Sequence, residues 1–514
     1  MASIVKSCAI SGVDGYIVDV ETKTIIGQPL ISIVGLGDTA VKEARERVES
    51  AIVDAKYIFP EMKIVINLAP SDLKKSGSHF DLPIALGLLI EDGQIKIKRN
   101  EEFAFFGELS LNAMLRSCNG ILPMVIAAKN CGIKNIIVPK ANIAEASIVK
   151  GINVFGFGSL RDVAEFLECK KEYAYTIDTF TDIATNNEND LNFIDVQGQE
   201  TLIEYIVVAA AGGHNMLMIG PPGCGKSMIA KRIPTVLPSM TESESLEVTK
   251  IYSVAGLLKE NRSLITNRPF RSPHHNASLN SLIGGGNNAT PGEISLAHNG
   301  VLFLDEITEF SKKTLDSLRQ PMEDKEVTIS RVKYTNSYPA NFMLIAAMNP
   351  CPCGYYGNKK CKCTDYEIIK YRQKISGPIS DRIDIQKYVQ PVDFMNLSNY
   401  SNKISSDEMK ERVEFARKIQ NKRFSKFESI NCNAQMSQSL IKEYCTLEEE
   451  SRKVMRLAYD KFKYSARSYH KYLKVARTFA DMEGSENIRK KDILSALMAR
   501  DMDKDNLRMT IIKG

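Results

Sequence analysis

The segment MLMIGPPGCGKSMIAKRI, residues 216–233, constrains the chain more than any other. An apolar, strand-like run leads into a G-x-x-x-x-G-K-S loop, and a helical pattern follows. In this setting the backbone N–H groups of the loop face phosphate oxygens at a helix N-terminus. We expect Lys226 to reach the β- and γ-phosphates and Ser227 to bind Mg²⁺. The predicted nucleotide-binding residues are Gly220, Pro221, Pro222, Gly223, Cys224, Gly225, Lys226 and Ser227.

Two further strand-like runs end in polar residues that suit phosphate hydrolysis. GVLFLDEITEF, residues 300–310, ends its apolar run at Asp305 and Glu306, and NFMLIAAMN ends at Asn349. We expect Asp305 to hold Mg²⁺ with Ser227, Glu306 to polarise the attacking water and Asn349 to orient it. Taken alone, an acid or an amide at a strand end is also common in turns. Their order after the phosphate loop favours the catalytic interpretation.

Two arginines further along the chain are candidates for contact with the transferred phosphate. SGPISDRIDI offers Arg382, which we expect to act as an arginine finger. KYSARSYHKYLKVARTF offers Arg467 as a second phosphate sensor. Singly, each arginine would more often be a surface residue.

This order of parts resembles the AAA+ ATPases, in particular the branch with the magnesium-chelatase ATPase subunit and the MCM helicases. The motifs that carry it are GPPGCGKS, GEISLAHNGVLFLDE, LRQPMEDKEVTISR, AAMNP and SGPISDRIDI. RPFRSPHHNAS and NPCPCGYYG narrow it to the bacterial ComM/YifB-type magnesium-chelatase-like proteins. The resemblance implies a homo-hexameric ring with ATP bound between subunits, in which Arg382 acts on the neighbouring subunit. Adjacent side chains point apart on a strand, so His274 and His275 are not expected to share a metal site without a bend. We expect one of them to pack and the other to hydrogen-bond.

The N-terminal region resembles the proteolytic domain of Lon proteases through INLAPSDLKKSGSHFDLPIALGLL, FFGELSLNAMLR and GIKNIIVPK. Lon uses a serine activated by a lysine. Aligned by Lys75 and Gly77, this chain has His79 where the serine belongs and Ser78 one place early. Leu122 stands where the lysine belongs, so we expect a protease-like fold without proteolysis.

The segment IVGLGDTAVKEARERV also fits a dinucleotide-binding fingerprint, through Gly35, Gly37 and Ala40. A dinucleotide site needs an acid at the end of the next strand, for the ribose. KIVINLAPSD has Asn67 there, and Asp72 comes five residues late. We therefore expect a tight strand-to-helix turn and no NAD.

The predicted fold class is α/β, with a Lon-protease-like α+β domain, an AAA+ P-loop core and an all-helical lid. The predicted boundaries are 1–169 for the first domain, 170–192 for an Asn-rich polar linker, 193–395 for the core and 396–514 for the lid. The apolar runs are too short for a membrane span, and the N-terminus lacks the apolar core of a secretory signal. We expect a cytoplasmic protein with reduced thiols and no membrane partner.

Four of the eleven cysteines cluster in CPCGYYGNKKCKC, residues 351–363. Their C-x-C pairs, Cys351 with Cys353 and Cys361 with Cys363, are candidate ligands of a structural zinc ion. A loop with four reduced thiols is the alternative. A closed metal knuckle here would stiffen the path from Asn349 to Arg382.

The sequence gives the least information about the substrate of such a motor. EVTISRVKYTNSYPANF is similar to the pore hairpin of MCM helicases, which would set Arg331 or Lys333 against a DNA backbone. A solvated hairpin is the alternative, and the basic face of Arg467, Lys471, Lys474 and Arg477 is expected to be solvated apart from Arg467. The family resemblance implies a branch-migration helicase for recombination or natural transformation, acting on single-stranded or branched DNA. A chelatase-type ATPase with partner subunits and a protein-remodelling factor remain alternatives.

Overall fold

The structure is a computed structural model that describes residues 2–99, 102–174, 191–258, 264–286, 289–331, 334–391, 404–427, 430–462 and 464–503. Residues 175–190 of the predicted linker, and the predicted boundary between core and lid at 395–396, lie outside these ranges. The domain boundaries therefore stay predictions. Among the helices that are described, none joins the length of a bilayer span to sufficient apolar character.

The N-terminal domain is built on one mixed sheet. Its strands are β1 (Ser3–Ser11), β2 (Asp14–Ile25), β3 (Leu30–Val34), β4 (Lys63–Ala69), β5 (Phe103–Phe105), β8 (Asn135–Pro139) and β9 (Asn153–Phe157), beside a small β6 (Glu108–Leu109) and β7 (Leu115–Arg116) hairpin. The sheet order is β3-β4-β2-β1-β5-β8-β9. Strand β2 is antiparallel to β1 and β4, and the other neighbours are parallel. Every residue of the NIIVP run in β8 is buried, as in a strand covered on both faces.

Helices of the N-terminal domain pack on this sheet. They are α1 (Thr39–Asp54), α2 (Asp81–Glu91), α3 (Ile121–Asn130), α4 (Ile143–Ala146) and α5 (Leu160–Leu167). The predicted dinucleotide fingerprint forms the turn from β3 to α1. Gly35 has φ +102°, and a side chain there would collide with the carbonyl of Leu68 in β4. Asp38 then caps α1 by accepting a 3.0 Å hydrogen bond from the Val41 N–H, so local packing explains the glycine.

The core has a parallel sheet in the order β11-β14-β17-β10-β18. These strands are β11 (Phe270–Arg271), β14 (Val301–Leu304), β17 (Met343–Met348), β10 (Met216–Ile219) and β18 (Ile385–Tyr388), with the small pairs β12 (Gly284–Gly285) with β13 (Thr290–Pro291), and β15 (Glu326–Arg331) with β16 (Tyr334–Pro339). All residues of β10, β14 and β17 are buried. Since parallel strands end at the same edge, the residues after β10, β14 and β17 meet there.

Helices surround the core sheet and form the C-terminal domain. In the core they are α6 (Glu200–Gly212), α7 (Lys226–Val236), α8 (Glu242–Val254), α9 (Leu279–Ile283), α10 (Glu293–Leu296), α11 (Lys312–Ser317), α12 (Arg319–Asp324), α13 (Asp365–Arg372) and α14 (Gly377–Ser380). In the C-terminal domain they are α15 (Ser406–Phe424), α16 (Gln438–Tyr444), α17 (Glu449–Phe462), α18 (Ala466–Met482) and α19 (Lys490–Leu497). The predicted fold class is confirmed.

The basic face of α18 is not solvated, which corrects the prediction for Lys471, Lys474 and Arg477. Arg477 is 1% exposed and donates to the carboxylate of Asp481, at 3.0 Å, and to the carbonyl of Glu486. Lys471 is also buried, and Lys474 Nζ donates to the carbonyl of Ala434 at 2.8 Å. Lys471 also lies 3.8 Å from Oδ1 of Asp381 in the core, so all three side chains are packed within the protein and do not form a solvated face.

The N-terminal domain docks on α8 of the core. The Gly120 N–H donates to the carbonyl of Ser253 at 3.0 Å, and Ser253 Oγ donates to Oε1 of buried Glu145 at 2.5 Å. An exposed ion pair of 2.6 Å joins Lys150 and Glu242 at the other end of α8. Burial raises the pKa of Glu145, although hydrogen bonds from Ser253, Leu122, Asn142 and Ile121 oppose the shift. The two domains thus share a buried polar contact.

Candidate nucleotide site

The phosphate loop joins β10 to α7, as its strand–loop–helix setting requires. Lys226 is the first residue of α7, and its Nζ donates to the carbonyls of Gly220 at 2.8 Å and Pro221 at 3.0 Å. The same ammonium lies 3.4 Å from Oδ1 of Asn349, beyond the end of β17. Burial raises the pKa of the Cys224 thiol within the loop. The cation therefore sits where the loop and Asn349 meet.

Ser227 and Asp305 supply oxygen ligands of the kind that Mg²⁺ prefers. Ser227 Oγ donates to Oδ2 of Asp305 at 2.5 Å, across the gap between α7 and the end of β14. The other oxygen of Asp305 accepts a 3.0 Å hydrogen bond from the Glu306 N–H. A hydroxyl and a carboxylate beside a phosphate loop fit a magnesium ion that also binds nucleotide oxygens. These two residues would hold it.

Glu306 has a strained backbone and an unforeseen neighbour. Its φ of +49° is in the left-handed region, which non-glycine residues seldom adopt and which is concentrated at functional sites. The carboxylate is half exposed, and its Oε2 lies 3.8 Å from Nδ1 of His275. The strain and the exposure suit a carboxylate that contacts a water molecule next to the phosphate.

His274 and His275 do not lie on a strand, so the strand geometry considered for them does not apply. They lie in the turn after β11, and their ring centroids are 4.1 Å apart. The Asn276 N–H donates to Nδ1 of His274 at 3.3 Å, which leaves His275 facing Glu306. Sequence reasoning missed this contact because 31 residues separate the pair along the chain; the doublet after a strand was the available signal.

The residues around Asn349 connect the site to α13. Tyr371 OH and Thr308 Oγ1, just after Glu306, are 2.8 Å apart, and burial raises the pKa of this tyrosine. Arg372 Nε donates to the carbonyl of Pro350 at 3.4 Å, and its Nη2 donates to Tyr388 OH at 3.1 Å. Helix α13 thereby braces the segment that follows Asn349.

The two predicted arginines lie in different environments. Arg382 follows α14, and its guanidinium donates to the carbonyl of Pro378 at 2.6 Å and pairs with Glu323. Arg467 is the second residue of α18 and is exposed. Neither has a contact with Lys226 or Asp305 among those of the described residues. Their roles stay predictions.

The cysteines of residues 351–363 converge after β17. The Cys351 sulfur lies 3.3 Å from that of Cys353 and 3.8 Å from that of Cys361, and the Cys353 and Cys361 sulfurs are 3.7 Å apart. Cys363 completes a group whose sulfurs all lie within 4.8 Å of one another. Hydrogen bonding from the Tyr355 N–H lowers the pKa of the Cys353 thiol well below its usual value. The cluster can hold a metal ion.

The hairpin β15–β16 is anchored in the core. Val327 and Ile329 of β15 and Tyr338 of β16 are buried, and Tyr338 OH donates to the carbonyl of Ala289 at 2.6 Å. Lys333 and the side chain of Arg331 lie outside the described residues. Their contact with DNA stays a prediction.

The protease-like region places a carboxylate beside Ser78, although Leu122 stands where the activating lysine belongs. Ser78 Oγ donates to Oε2 of Glu108 in β6. His79 is buried with Nε2 2.8 Å from the carbonyl of Cys8, and Leu122 is buried at the start of α3. No amine from position 122 is available to Ser78.

Comparison with known proteins finds three magnesium-chelatase family models that match this chain and relatives that match nearly all of its length. The family described as "Magnesium chelatase, subunit ChlI" matches residues 192–397, "Subunit ChlI of Mg-chelatase" matches residues 20–142, and the ChlI C-terminal family matches residues 403–500. Competence protein ComM of Haemophilus influenzae is 38% identical over 97% of both chains. Uncharacterized protein YifB of Escherichia coli is 40% identical over 98% of this chain and 97% of its own. Lon protease 2 of Bacillus subtilis is 24% identical over 31% of this chain and 33% of its own.

Proposed function

Because the chain belongs to the ComM/YifB-type, magnesium-chelatase-like AAA+ family, we propose that it is an ATP-hydrolysing ring motor. Six copies form the ring, and it migrates branched DNA during homologous recombination or natural transformation. The relative from Haemophilus influenzae is named for competence, which supports the second process. The motor acts in the cytoplasm, where its thiols remain reduced.

The nucleotide site assigns one task to each group. The loop N–H groups and Lys226 bind the phosphates. Ser227 and Asp305 would hold Mg²⁺, which would supply charge neutralisation for the phosphate oxygens. Glu306 accepts a proton from the attacking water, and Asn349 orients that water. Arg382 of one subunit and Arg467 stabilise the charge that develops on the transferred phosphate. The cysteines at 351–363 bind zinc.

The DNA assignment depends on one observation, the anchored β15–β16 hairpin, which lies between Asp305 and Asn349 in the sequence. Val327, Ile329 and Tyr338 of this hairpin are buried and pack with strands of the core sheet, so its described residues are held against the nucleotide-binding domain. Arg331 is the last residue of β15 and Lys333 follows it in the sequence, and cationic side chains of this kind suit a phosphate backbone. A hairpin with this charge at each subunit would line the ring with cations.

The test measures ATP turnover of the full chain without DNA, with single strands and with four-way junctions. We expect junctions to stimulate wild-type turnover and Arg331→Ala with Lys333→Ala to lose that stimulation while keeping the basal rate. Arg161→Ala is the matched control, because this exposed arginine lies in α5 and pairs with Glu165. Glu306→Gln reports the background.

Equal turnover with and without every DNA, at a robust Glu306-dependent rate, would contradict the DNA assignment. Stimulation by a porphyrin with chelatase partner subunits would then favour metal insertion. Stimulation by protein substrates would favour a remodelling factor. Each of these outcomes leaves the ATPase assignment intact.

A further inference from the structure

The cysteine knuckle, residues 351–363, has the dimensions of a tetrahedral metal site. A zinc ion with sulfur ligands at about 2.3 Å separates those sulfurs by about 3.8 Å. Two of the sulfur separations around Cys361 are 3.8 and 3.7 Å, and Cys351 to Cys353 is 3.3 Å. All four thiols are free of disulfide bonds. Zinc and iron are the metals that four-sulfur sites favour, and zinc needs no redox partner.

The knuckle lies against the phosphate loop. Gly354, between the two C-x-C pairs, has φ +82°, and a Cβ placed there would lie 2.7 Å from Cδ of Pro222. Pro222 is the third residue of the phosphate loop, so the backbone of the knuckle approaches the loop without an intervening side chain. This contact can fix the position of the phosphate loop only if the knuckle itself has a rigid conformation.

Little besides the cysteines holds that shape. Residues 351–363 form turns without a helix or strand, and all of them are described. The apolar cluster under them has only Cys351 and Ile368 as fully buried members. Short-range turn hydrogen bonds add to this, such as those from the Gly354 N–H to the Cys351 carbonyl and from the Cys361 N–H to the Asn358 carbonyl. Arg372 also contacts Pro350, and its Cζ lies 5.0 Å from the ring centre of Tyr356. A cross-link among the sulfurs would offset the entropy lost in ordering thirteen residues on so small a core.

We propose that Zn²⁺ bound by Cys351, Cys353, Cys361 and Cys363 makes the knuckle a rigid outer wall of the phosphate loop and thereby sets its affinity for nucleotide. Each thiol releases its proton to solvent as its sulfur binds the ion, and no electron is transferred. Without the metal the knuckle loosens, Gly354 leaves Pro222, and the loop samples conformations that bind phosphate poorly. This inference rests on the proposed function only through the nucleotide site, not through DNA.

The first experiment uses wild-type full-length protein, purified without chelators under reducing conditions. Elemental analysis should find about one zinc per chain. Removal of zinc by a chelator, followed by removal of the chelator, should weaken binding of a fluorescent ATP analogue about tenfold, and added zinc should restore it. Binding is measured without DNA, so a failed DNA assignment does not affect the result.

A glycine pair in the same knuckle supplies the matched variants. Gly354 and Gly357 have nearly equal φ values of +82° and +87°, so alanine strains the backbone equally at both. Only the Cβ at position 354 meets Pro222; at position 357 it meets nothing within 4 Å. We expect Gly354→Ala to weaken nucleotide binding with zinc content retained, and Gly357→Ala to bind as wild type.

Three results would overturn the proposal. These are zinc below stoichiometric content, equal nucleotide affinity with and without zinc, and equal affinity of the two alanine variants. If zinc-loaded wild type bound no nucleotide at all, the nucleotide site itself would be wrong. The chelation series needs no variant, so it tests the proposal even if Gly354→Ala fails to fold.

Discussion

Ser227 Oγ donates a 2.5 Å hydrogen bond to Oδ2 of Asp305, which ties the start of α7 to the end of β14. The two residues are 78 positions apart in the chain, and each was predicted from its own local motif. Their contact creates the pair of oxygen ligands beside the phosphate loop. Variants at these two positions should therefore show how much of the nucleotide affinity depends on bound Mg²⁺.

Ser227→Ala and Asp305→Asn should remove the dependence of nucleotide binding on Mg²⁺. In wild type, EDTA should weaken binding of a fluorescent ATP analogue about tenfold, whereas both variants should bind equally weakly with Mg²⁺ or EDTA. Asp460→Asn, at an exposed position of α17, is the control and should respond to EDTA as wild type. A tenfold response retained in Asp305→Asn would remove this carboxylate from the metal site.

Sequence patterns were sufficient to predict which residues meet in the site when a motif places those residues at the end of a strand. Parallel strands bring Lys226, Asp305 and Asn349 to one edge, so knowing the strands is enough to predict their proximity. The contact of His275 with Glu306, and that of Gly354 with Pro222, depend on how loops fold over that edge. No periodicity or spacing encodes such contacts, so only the structure reveals them.

The wrong prediction for α18 has a different cause. Lysine and arginine are mostly exposed, and a stripe of them without acids nearby indicates a solvated face. Here the guanidinium of Arg477 is paired with Asp481, one helical turn later, and with carbonyls from the following loop. The i,i+4 spacing of this pair was visible in the sequence, but its burial was not, because burial depends on the other helices.

His275→Ala should slow ATP hydrolysis while leaving nucleotide affinity unchanged, because its ring contacts Glu306 and not the phosphate loop. We expect turnover to fall about tenfold, less than in Glu306→Gln, since the carboxylate itself remains. His274→Ala is the matched control from the same turn. Equal turnover of the two histidine variants would show that the contact with Glu306 has no role in positioning it.

If Arg382 acts across a subunit interface, mixing Arg382→Ala protein with a variant that retains Arg382 should restore ATP turnover. Lys226→Ala and Arg382→Ala proteins should each be inactive alone, whereas mixed rings place an intact phosphate loop beside an intact arginine. We expect ATP turnover to rise well above that of either variant when they are mixed. If mixtures stay inactive while wild-type rings exchange subunits, Arg382 acts within its own chain.

Ser253→Ala should loosen the docking of the N-terminal domain on α8, because it leaves Oε1 of buried Glu145 with one donor fewer. Oε1 keeps the hydrogen bond from the Leu122 N–H, so the expected cost is that of one lost hydrogen bond to a carboxylate, about 1.5–3 kcal/mol. Hydrogen exchange measured by mass spectrometry should quicken in residues 242–254 and 143–146. Ser239→Ala, before α8 and outside the docking contact, is the control. Unchanged exchange in Ser253→Ala would mean that apolar packing alone holds the domains together.

His79 should make the N-terminal domain less stable in mild acid. Burial lowers the pKa of His79 to about 4 from an ordinary 6.5, although the Cys8 carbonyl and Asp38 favour the protonated ring. Between those values the unfolded chain takes up a proton that the folded domain refuses, so stability falls as pH decreases from 6.5 to 4. The loss approaches about 3 kcal/mol.

The measurement compares wild type with His79→Gln, whose amide can still donate to the Cys8 carbonyl. Asp81 follows two residues later, and burial raises its pKa to about 6, so it alone would increase stability over the same range. Asp81 is common to both proteins and cancels in the difference between them. Thermal unfolding midpoints at pH 7.5 and pH 5 should therefore drop further in wild type than in His79→Gln. Equal drops would mean that His79 is protonated in the folded domain, and that burial has not shifted its pKa.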